Sequence, residues 1–243
     1  MINENEPAGV LVKTTLIDFP GLVASSFFLP GCNLSCPYCY NIELAKGFLP
    51  AEAVSLSELY SHLEKRKNVI QGLCISGGEP LLNPKLPSII TKAKSLGYKI
   101  KIDTNGSQPE KLKKIMENPS LRPDFIAMDI KTLPQDYSKF LQTSKIQPPV
   151  NYTNAIKESI RLISFFPKVQ REFRTVLVPP LVNKENIREL SQLLPEDASW
   201  QFASFINENC LNEKYNSILP YTDKETDEII NLAKERIPDT HLR

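Results

Sequence analysis

Cys32, Cys36 and Cys39 crowd into the segment GCNLSCPYCYN (31–41) of a chain that has only five cysteines. Thiolates separated by three and then two residues can meet at one inorganic centre from a single loop. Three kinds of centre compete for them. Structural zinc takes four protein ligands, usually from two distant Cys-x-x-Cys pairs. No second pair exists here, and the histidines, His62 and His241, lie in a predicted helix and at the C-terminal end. A ferredoxin-type cluster calls for a fourth cysteine with its own spacing, and Cys74 and Cys210 have no cysteine beside them. A [4Fe–4S] cluster held by three cysteines would leave one iron open to a substrate or cofactor. Cys74 itself has the character of a core residue, because free cysteine is commonly buried.

Other polar residues stand where strand patterns end. Ser76-Gly77-Gly78-Glu79-Pro80 closes one apolar run. Paired glycines at such a place let a ligand approach the backbone and leave main-chain groups free to bind it. Asp103-Thr104-Asn105-Gly106 closes the next run, and Met128-Asp129-Ile130-Lys131 the one after. Arg174 is a charge inside an apolar strand pattern. If it faces inward it needs an anionic partner, either a cofactor carboxylate or a structural salt bridge.

The elements that must position these residues alternate along the chain. Strand patterns cover 22–29, 71–76, 98–104, 124–130, 171–178 and 199–205. Helical spacing of apolar residues covers 55–69, 84–96, 108–117, 153–166 and 184–194, with a last helix at 222–236 opened by Thr222-Asp223. Strand and helix repeated six times predict an α/β fold with parallel strands and right-handed crossovers. Periodicity does not choose between an open sheet and a partial barrel. In either, polar residues at the C-terminal ends of parallel strands share a common mouth. The break at 131–152 is predicted as loop with one short helix on that side.

The Cys-x3-Cys-x2-Cys spacing, with Tyr38 before the third cysteine, resembles the signature of the radical S-adenosylmethionine superfamily. That resemblance implies a [4Fe–4S] cluster on Cys32, Cys36 and Cys39 whose open iron chelates the amino and carboxylate groups of S-adenosyl-L-methionine. One electron then breaks a carbon–sulfur bond and releases a 5′-deoxyadenosyl radical. It further implies that Tyr38 packs under the cluster loop and that Gly77, Gly78 and Glu79 bind the nucleotide's amino group. Glycyl-radical activating enzymes carry a similar DTNG and D-x-K. By that likeness Asp103, Thr104, Asn105, Asp129 and Lys131 position the nucleotide's carboxylate and ribose. Asp103, Thr104 and Asp129 are then possible oxygen ligands of a monovalent cation. Arg174 joins this cofactor-binding set, with a structural ion pair as its alternative.

TLIDFPGLVASSFFLPGCNLSCPYCYN, CISGGEPLL, KIDTNG, FIAMDIKT with PQDYSKF, and FRTVLVP are together similar to the activating proteins of anaerobic ribonucleoside-triphosphate reductase. The implied fold is a partial (β/α)6 TIM-type barrel in a single domain spanning 1–243, with an N-terminal lead at 1–12 and a C-terminal extension at 206–243. The implied reaction removes a hydrogen from one glycine of the reductase, the electron coming from a donor such as flavodoxin or ferredoxin. One departure is visible: related activases often carry Cys-His-Asn where this chain has Cys39-Tyr40-Asn41. Alternatives are an activase of pyruvate formate-lyase, a small-molecule enzyme such as a 7-carboxy-7-deazaguanine synthase-like protein, and a zinc-binding interaction protein without catalysis.

Composition narrows the classes further. The chain has 243 residues, 29 basic against 28 acidic, for a formal net charge of +1. This balance gives no broad electrostatic footprint for nucleic acid. No apolar run approaches the roughly 20 residues of a membrane helix, and MINENEPAGV lacks the layout of a signal peptide. A cytoplasmic protein with reduced thiols is expected.

Overall fold

The computed structural model describes residues 3–140 and 151–243. The residues group into two compact units: Met1–Asn33 with Glu43–Thr104 and Glu110–Ile126, and Leu34–Ile42 with Asn105–Pro109 and Ala127–Arg243.

The first unit opens with β1 (Pro7–Thr15), which runs antiparallel to β2 (Ala24–Leu29) with Leu11 opposite Phe27. After the short helix α1 (Ile42–Ala45), the two-residue β3 (Val54–Ser55) pairs antiparallel with β1. Helix α2 (Leu56–Arg66) starts where Ser55 caps it: the Ser55 hydroxyl accepts from the Glu58 amide at 3.2 Å, and the Glu58 carboxylate accepts from the Ser55 amide at 2.8 Å. Two otherwise orphaned amides are satisfied at once. Its buried face is Leu56, Leu59, Tyr60 and Leu63, the spacing of one helical stripe.

Next come β4 (Gly72–Gly77), α3 (Leu86–Ser95), β5 (Lys99–Thr104) and α4 (Pro109–Glu117). Strands β2 and β4 pair in parallel from Ala24–Gly72 to Leu29–Gly77, and β4 and β5 from Gly72–Lys99 to Ile75–Ile102. Leu73, Cys74 and Ile75 are all buried, as are Ile100, Lys101 and Ile102. Continuous burial is the mark of strands covered on both faces. The LIDFPG segment (16–21) turns between β1 and β2, and its Phe19 lies under the sheet with Ala24 and Phe125. A side chain at Gly72 would meet the Phe19 ring at 2.7 Å, so that glycine makes the room Phe19 fills.

Strand β6 (Phe125–Asp129) begins in the first unit and ends in the second. Its entry is tied to β5 by the Asp124 amide donating to the Ile100 carbonyl at 2.8 Å. Its exit is tied to the following strand by the Ile130 amide donating to the Arg174 carbonyl at 2.7 Å.

The second unit holds α5 (Tyr152–Ser164), β7 (Arg171–Leu177), α6 (Ile187–Leu193), β8 (Trp200–Ser204), α7 (Asp223–Lys234) and β9 (Thr240–Leu242). Strands β7, β8 and β9 are parallel, with Phe173 opposite Trp200 and Trp200 opposite Thr240. Buried Trp200 gives its indole N–H to the Thr175 hydroxyl at 3.0 Å, and that hydroxyl donates to the Ile130 carbonyl at 2.8 Å. Helix α7 has the start expected from Thr222: a reciprocal pair of bonds with Glu225.

All six anticipated strands and all six helices exist, with ends within a few residues of expectation. The fold is α/β with mostly parallel pairing, consistent with the partial (β/α)6 barrel. Three strands went unanticipated. The presumed N-terminal lead contains most of β1, whose exposed Lys13 and Thr14 dilute the apolar pattern, and β3 and β9 are too short to show a period. The predicted break at 131–152 contains a 3-10 turn at Pro134–Phe140, while 141–150 lie outside the described residues.

Candidate active site

In the first unit the end of β4 is strapped to the chain leading into Cys32. The Gly78 amide donates to the Leu29 carbonyl at 2.9 Å, and the Glu79 amide to the Gly31 carbonyl at 2.8 Å. Gly77 has φ of +116°, and a Cβ on it would lie 2.3 Å from the Leu29 oxygen. A Cβ on Gly78 would lie 2.1 Å from the Gly31 oxygen. On this side the glycine pair admits the protein's own main chain. Gly31 and Cys32 are held from the other side by amide bonds to the carbonyls of Leu44 at 2.8 Å and Ala45 at 2.9 Å.

Glu79 is buried, 1% exposed, and accepts from the Thr104 hydroxyl at 2.9 Å and the Leu81 amide at 3.2 Å. The Gly-Gly-Glu turn and the end of β5 are therefore joined. Asp103, beside Thr104, takes an ammonium donor: Lys101 Nζ sits 2.5 Å from its Oδ1. Lys101 escaped the sequence reasoning, although the signal that singled out Arg174, a cation inside an apolar strand, was present in KIKIDT as well.

In the second unit the cysteine loop is pinned by three main-chain bonds. The Ser35 amide donates to the Phe140 carbonyl at 2.5 Å, Leu211 to the Cys39 carbonyl at 3.0 Å, and Asn212 to the Pro37 carbonyl at 2.9 Å. The segment after β8 thus lies along the loop, a role that no sequence motif marks. Cys36 and Tyr38 are buried, and Cys39 is half-buried. Asn105 shapes its own turn, its side-chain oxygen accepting from the Ser107 amide at 2.9 Å. The next residue, Gly106, has φ of +74° and packs against the Met128 side chain.

Asp129, at the end of β6, faces two cations. Arg174 Nε donates to its Oδ1 at 2.9 Å and Lys131 Nζ lies 3.3 Å from its Oδ2. Arg174 thus has its anionic partner within the chain. Tyr137, also missed, clamps the same strand end: its oxygen accepts from the Lys131 amide at 2.8 Å and its hydroxyl donates to the Asp129 carbonyl at 3.3 Å. Burial opposes the Lys131 charge, but Asp129 first, then Tyr38, Cys36 and Tyr137, hold its pKa well above the ordinary lysine value. Burial raises the Tyr38 pKa, against the pull of Lys131. The Cys39 thiol is pushed up by burial, with the Asn41 amide and Lys131 acting the other way. Cys36, Tyr38, Cys39, Asp129, Lys131 and Arg174 therefore form one neighbourhood in this unit.

Among the described residues no three His, Cys, Asp or Glu side chains are drawn together as a ready metal site. The donor set itself suits an iron–sulfur cluster: three thiols outside any disulfide on one glycine-led loop, with a lysine ammonium able to favour thiolate. No helix among the described residues is long and apolar enough to cross a membrane.

Comparison with known proteins gives these arrangements a family. The profile of the Radical SAM superfamily matches residues 26–194. A protein of Methanocaldococcus jannaschii, provisionally named as a glycyl-radical enzyme activating enzyme, is 25% identical over 96% of this chain and 94% of its own length. The pyruvate formate-lyase-activating enzyme of Clostridium pasteurianum is 30% identical over 74% of this chain and 72% of its own. The 7-carboxy-7-deazaguanine synthase of Aquifex aeolicus is 28% identical over 72% and 77%. An iron–sulfur cluster and S-adenosylmethionine come with the superfamily whose profile spans the cysteine loop, the Gly-Gly-Glu turn and the strand ends described above. The chain belongs to the radical SAM superfamily and, within it, to the glycyl-radical enzyme activating enzymes.

Proposed function

We propose that the chain activates a glycyl-radical enzyme, and that its target is anaerobic ribonucleoside-triphosphate reductase. The observation that carries this reading is the gathering of Lys131, Asp129 and Arg174 around the buried half of the cysteine loop. A fixed cationic group beside thiolate ligands suits a site that must hold both an anionic cluster and a carboxylate. Cys32, Cys36 and Cys39 hold a [4Fe–4S] cluster, which with S-adenosylmethionine supplies one-electron cleavage chemistry and an adenosyl-centred hydrogen abstractor when bound. Tyr38 packs beneath that loop. Gly77, Gly78 and Glu79 present main-chain groups to the nucleotide's amino group, and Asp103, Thr104 and Asn105 line the end of β5. Lys131 and Arg174 meet its carboxylate as positive charges, with Asp129 keeping both in place. The hydrogen comes from the α-carbon of one glycine in the partner, and a reduced flavodoxin or ferredoxin in the cytoplasm supplies the electron.

The LIDFPG and MDIK segments favour the activase branch, and the likeness of the whole set of segments to reductase activases is what supports the reductase ahead of pyruvate formate-lyase in this reading. The test is anaerobic incubation of the reconstituted, reduced chain with S-adenosylmethionine and each partner. A glycyl doublet in the electron-resonance spectrum of the reductase is the expected result. A doublet only in pyruvate formate-lyase would move the target. The Aquifex relative supports a second reading, a synthase acting on a small heterocycle; turnover of such a compound with no doublet in either partner would favour it.

A further inference from the structure

Lys101 is fully buried, 0% exposed, in the middle of β5. Ser26, Cys74 and Lys101 are register partners across β2, β4 and β5, so their side chains share one face of the sheet. Ser26 and Cys74 are small and leave the lysine stem its space. The ammonium ends 2.5 Å from Asp103 Oδ1, two residues along the same face, 3.9 Å from Cys74 Sγ and 5.9 Å from the centre of the Phe125 ring. Such a pair is a poor stabiliser, since desolvating two charges offsets most of their attraction and an apolar side chain of similar volume often serves as well. A methionine would fill this row without the penalty. What the lysine adds is its amino group set against the Asp103 carboxylate.

Asp103, Thr104 and Asp129 are also the residues whose oxygens were expected to be open to a monovalent cation. Each is engaged by the protein itself. Thr104 donates to Glu79 at 2.9 Å, Asp129 carries Arg174 at 2.9 Å and Lys131 at 3.3 Å, and Asp103 carries Lys101. We propose that Lys101 is a built-in cation: its ammonium takes the place at Asp103 that a monovalent metal ion would take, and it fixes that carboxylate for the nucleotide at the end of β5. Lys101 is on this account a positioning residue, and the site works without potassium or sodium. The part concerning the nucleotide rests on the function proposed above; the part concerning the cation does not.

The test compares wild type, Lys101→Ala and Lys101→Met at equal ionic strength in choline, sodium, potassium and ammonium chloride. Melting temperature is read on the full chain, and S-adenosylmethionine affinity on the reconstituted chain by equilibrium dialysis. Wild type should be indifferent to the cation in both. Lys101→Ala should bind the nucleotide at least about tenfold more weakly in choline. Ammonium or potassium should restore that affinity and raise its melting temperature by about 3 °C. Lys101→Met, with the volume but not the charge, should show the loss without the rescue. Wild type that needs potassium, Lys101→Ala untouched by every cation, or Lys101→Met binding within about twofold of wild type would each overturn the proposal. Should Lys101→Ala not fold, wild-type indifference and the Lys101→Met affinity decide it. The melting arm reads the cation site whatever the partner enzyme is, so failure of the target assignment leaves it intact.

Discussion

Thr104 donates its hydroxyl to the buried carboxylate of Glu79 across 2.9 Å, and that bond joins the end of β5 to the turn that follows β4. Removing the hydroxyl leaves Glu79 with one fewer donor in a place water reaches poorly. Thr104→Val keeps the shape and should cost about 1–3 kcal/mol. At about 2–4 °C per kcal/mol for a chain of this size, thermal melting resolves the loss. A melt unchanged from wild type would mean that the bond is not holding the two strand ends.

Gly78→Ala tests the strap between the glycine pair and the cysteine loop. The new Cβ would sit 2.1 Å from the Gly31 oxygen, a main-chain atom that cannot swing aside. The main chain must shift at a cost of about 1–3 kcal/mol. Because Gly31 leads directly into Cys32, reconstituted Gly78→Ala should retain less iron than wild type, measured after desalting under anaerobic conditions. Equal retention would separate the glycine from the loop.

Cys32→Ser, Cys36→Ser and Cys39→Ser should each lose most of the iron and sulfide, from about four of each per reconstituted chain. Cys74→Ser, at a buried position outside the loop, should keep the count. Stoichiometric zinc in wild type with negligible iron would contradict the whole assignment.

His62 supplies a pH signature far from that chemistry. Burial lowers its pKa below the ordinary value, with the Lys13 carbonyl working the other way, and its Nε2 lies 3.0 Å from the Ser25 hydroxyl. With the folded pKa depressed, the unfolded chain binds the proton more readily. The contribution to stability is present above the unfolded value, about 6.5, and is lost as pH falls through the lower folded value. Urea melts between these limits should weaken with acid in wild type and do so less steeply in His62→Gln. A parallel pH dependence in both would assign the effect elsewhere.

The element order was legible because each strand and helix here carries its own local signal. The α2 and α7 starts announce themselves as Ser55-x-x-Glu58 and Thr222-x-x-Glu225, and both cap as that pattern demands. Strand β1 was not legible, since its outward residues are mixed and its pairing with β2 and β3 makes it a strand. The site divides in the same way. Cys32 to Cys39 and Gly77 to Glu79 are marked by local motifs, each readable within one short window. The 210–212 segment acts through contacts with residues far along the chain, and no window of sequence contains both partners, whereas Tyr137 lies only six and eight positions from Lys131 and Asp129 but no motif marks it. Arg174 was recognised as anomalous, but its partner Asp129 lies 45 positions away. The close approach of the Leu29 and Gly31 main chain to the glycine pair comes from a distant part of the chain and is invisible in the motif itself.

The two amide bonds from Leu211 and Asn212 to the loop carbonyls bind the order of synthesis to the order of assembly. A nascent chain emits its three clustered thiols early, yet the main chain at Leu211 and Asn212 that holds the Cys39 and Pro37 carbonyls follows much later. Until then the loop lacks its outer rail. Only once residues 211 and 212 have been made can the Pro37 and Cys39 carbonyls be held from that side.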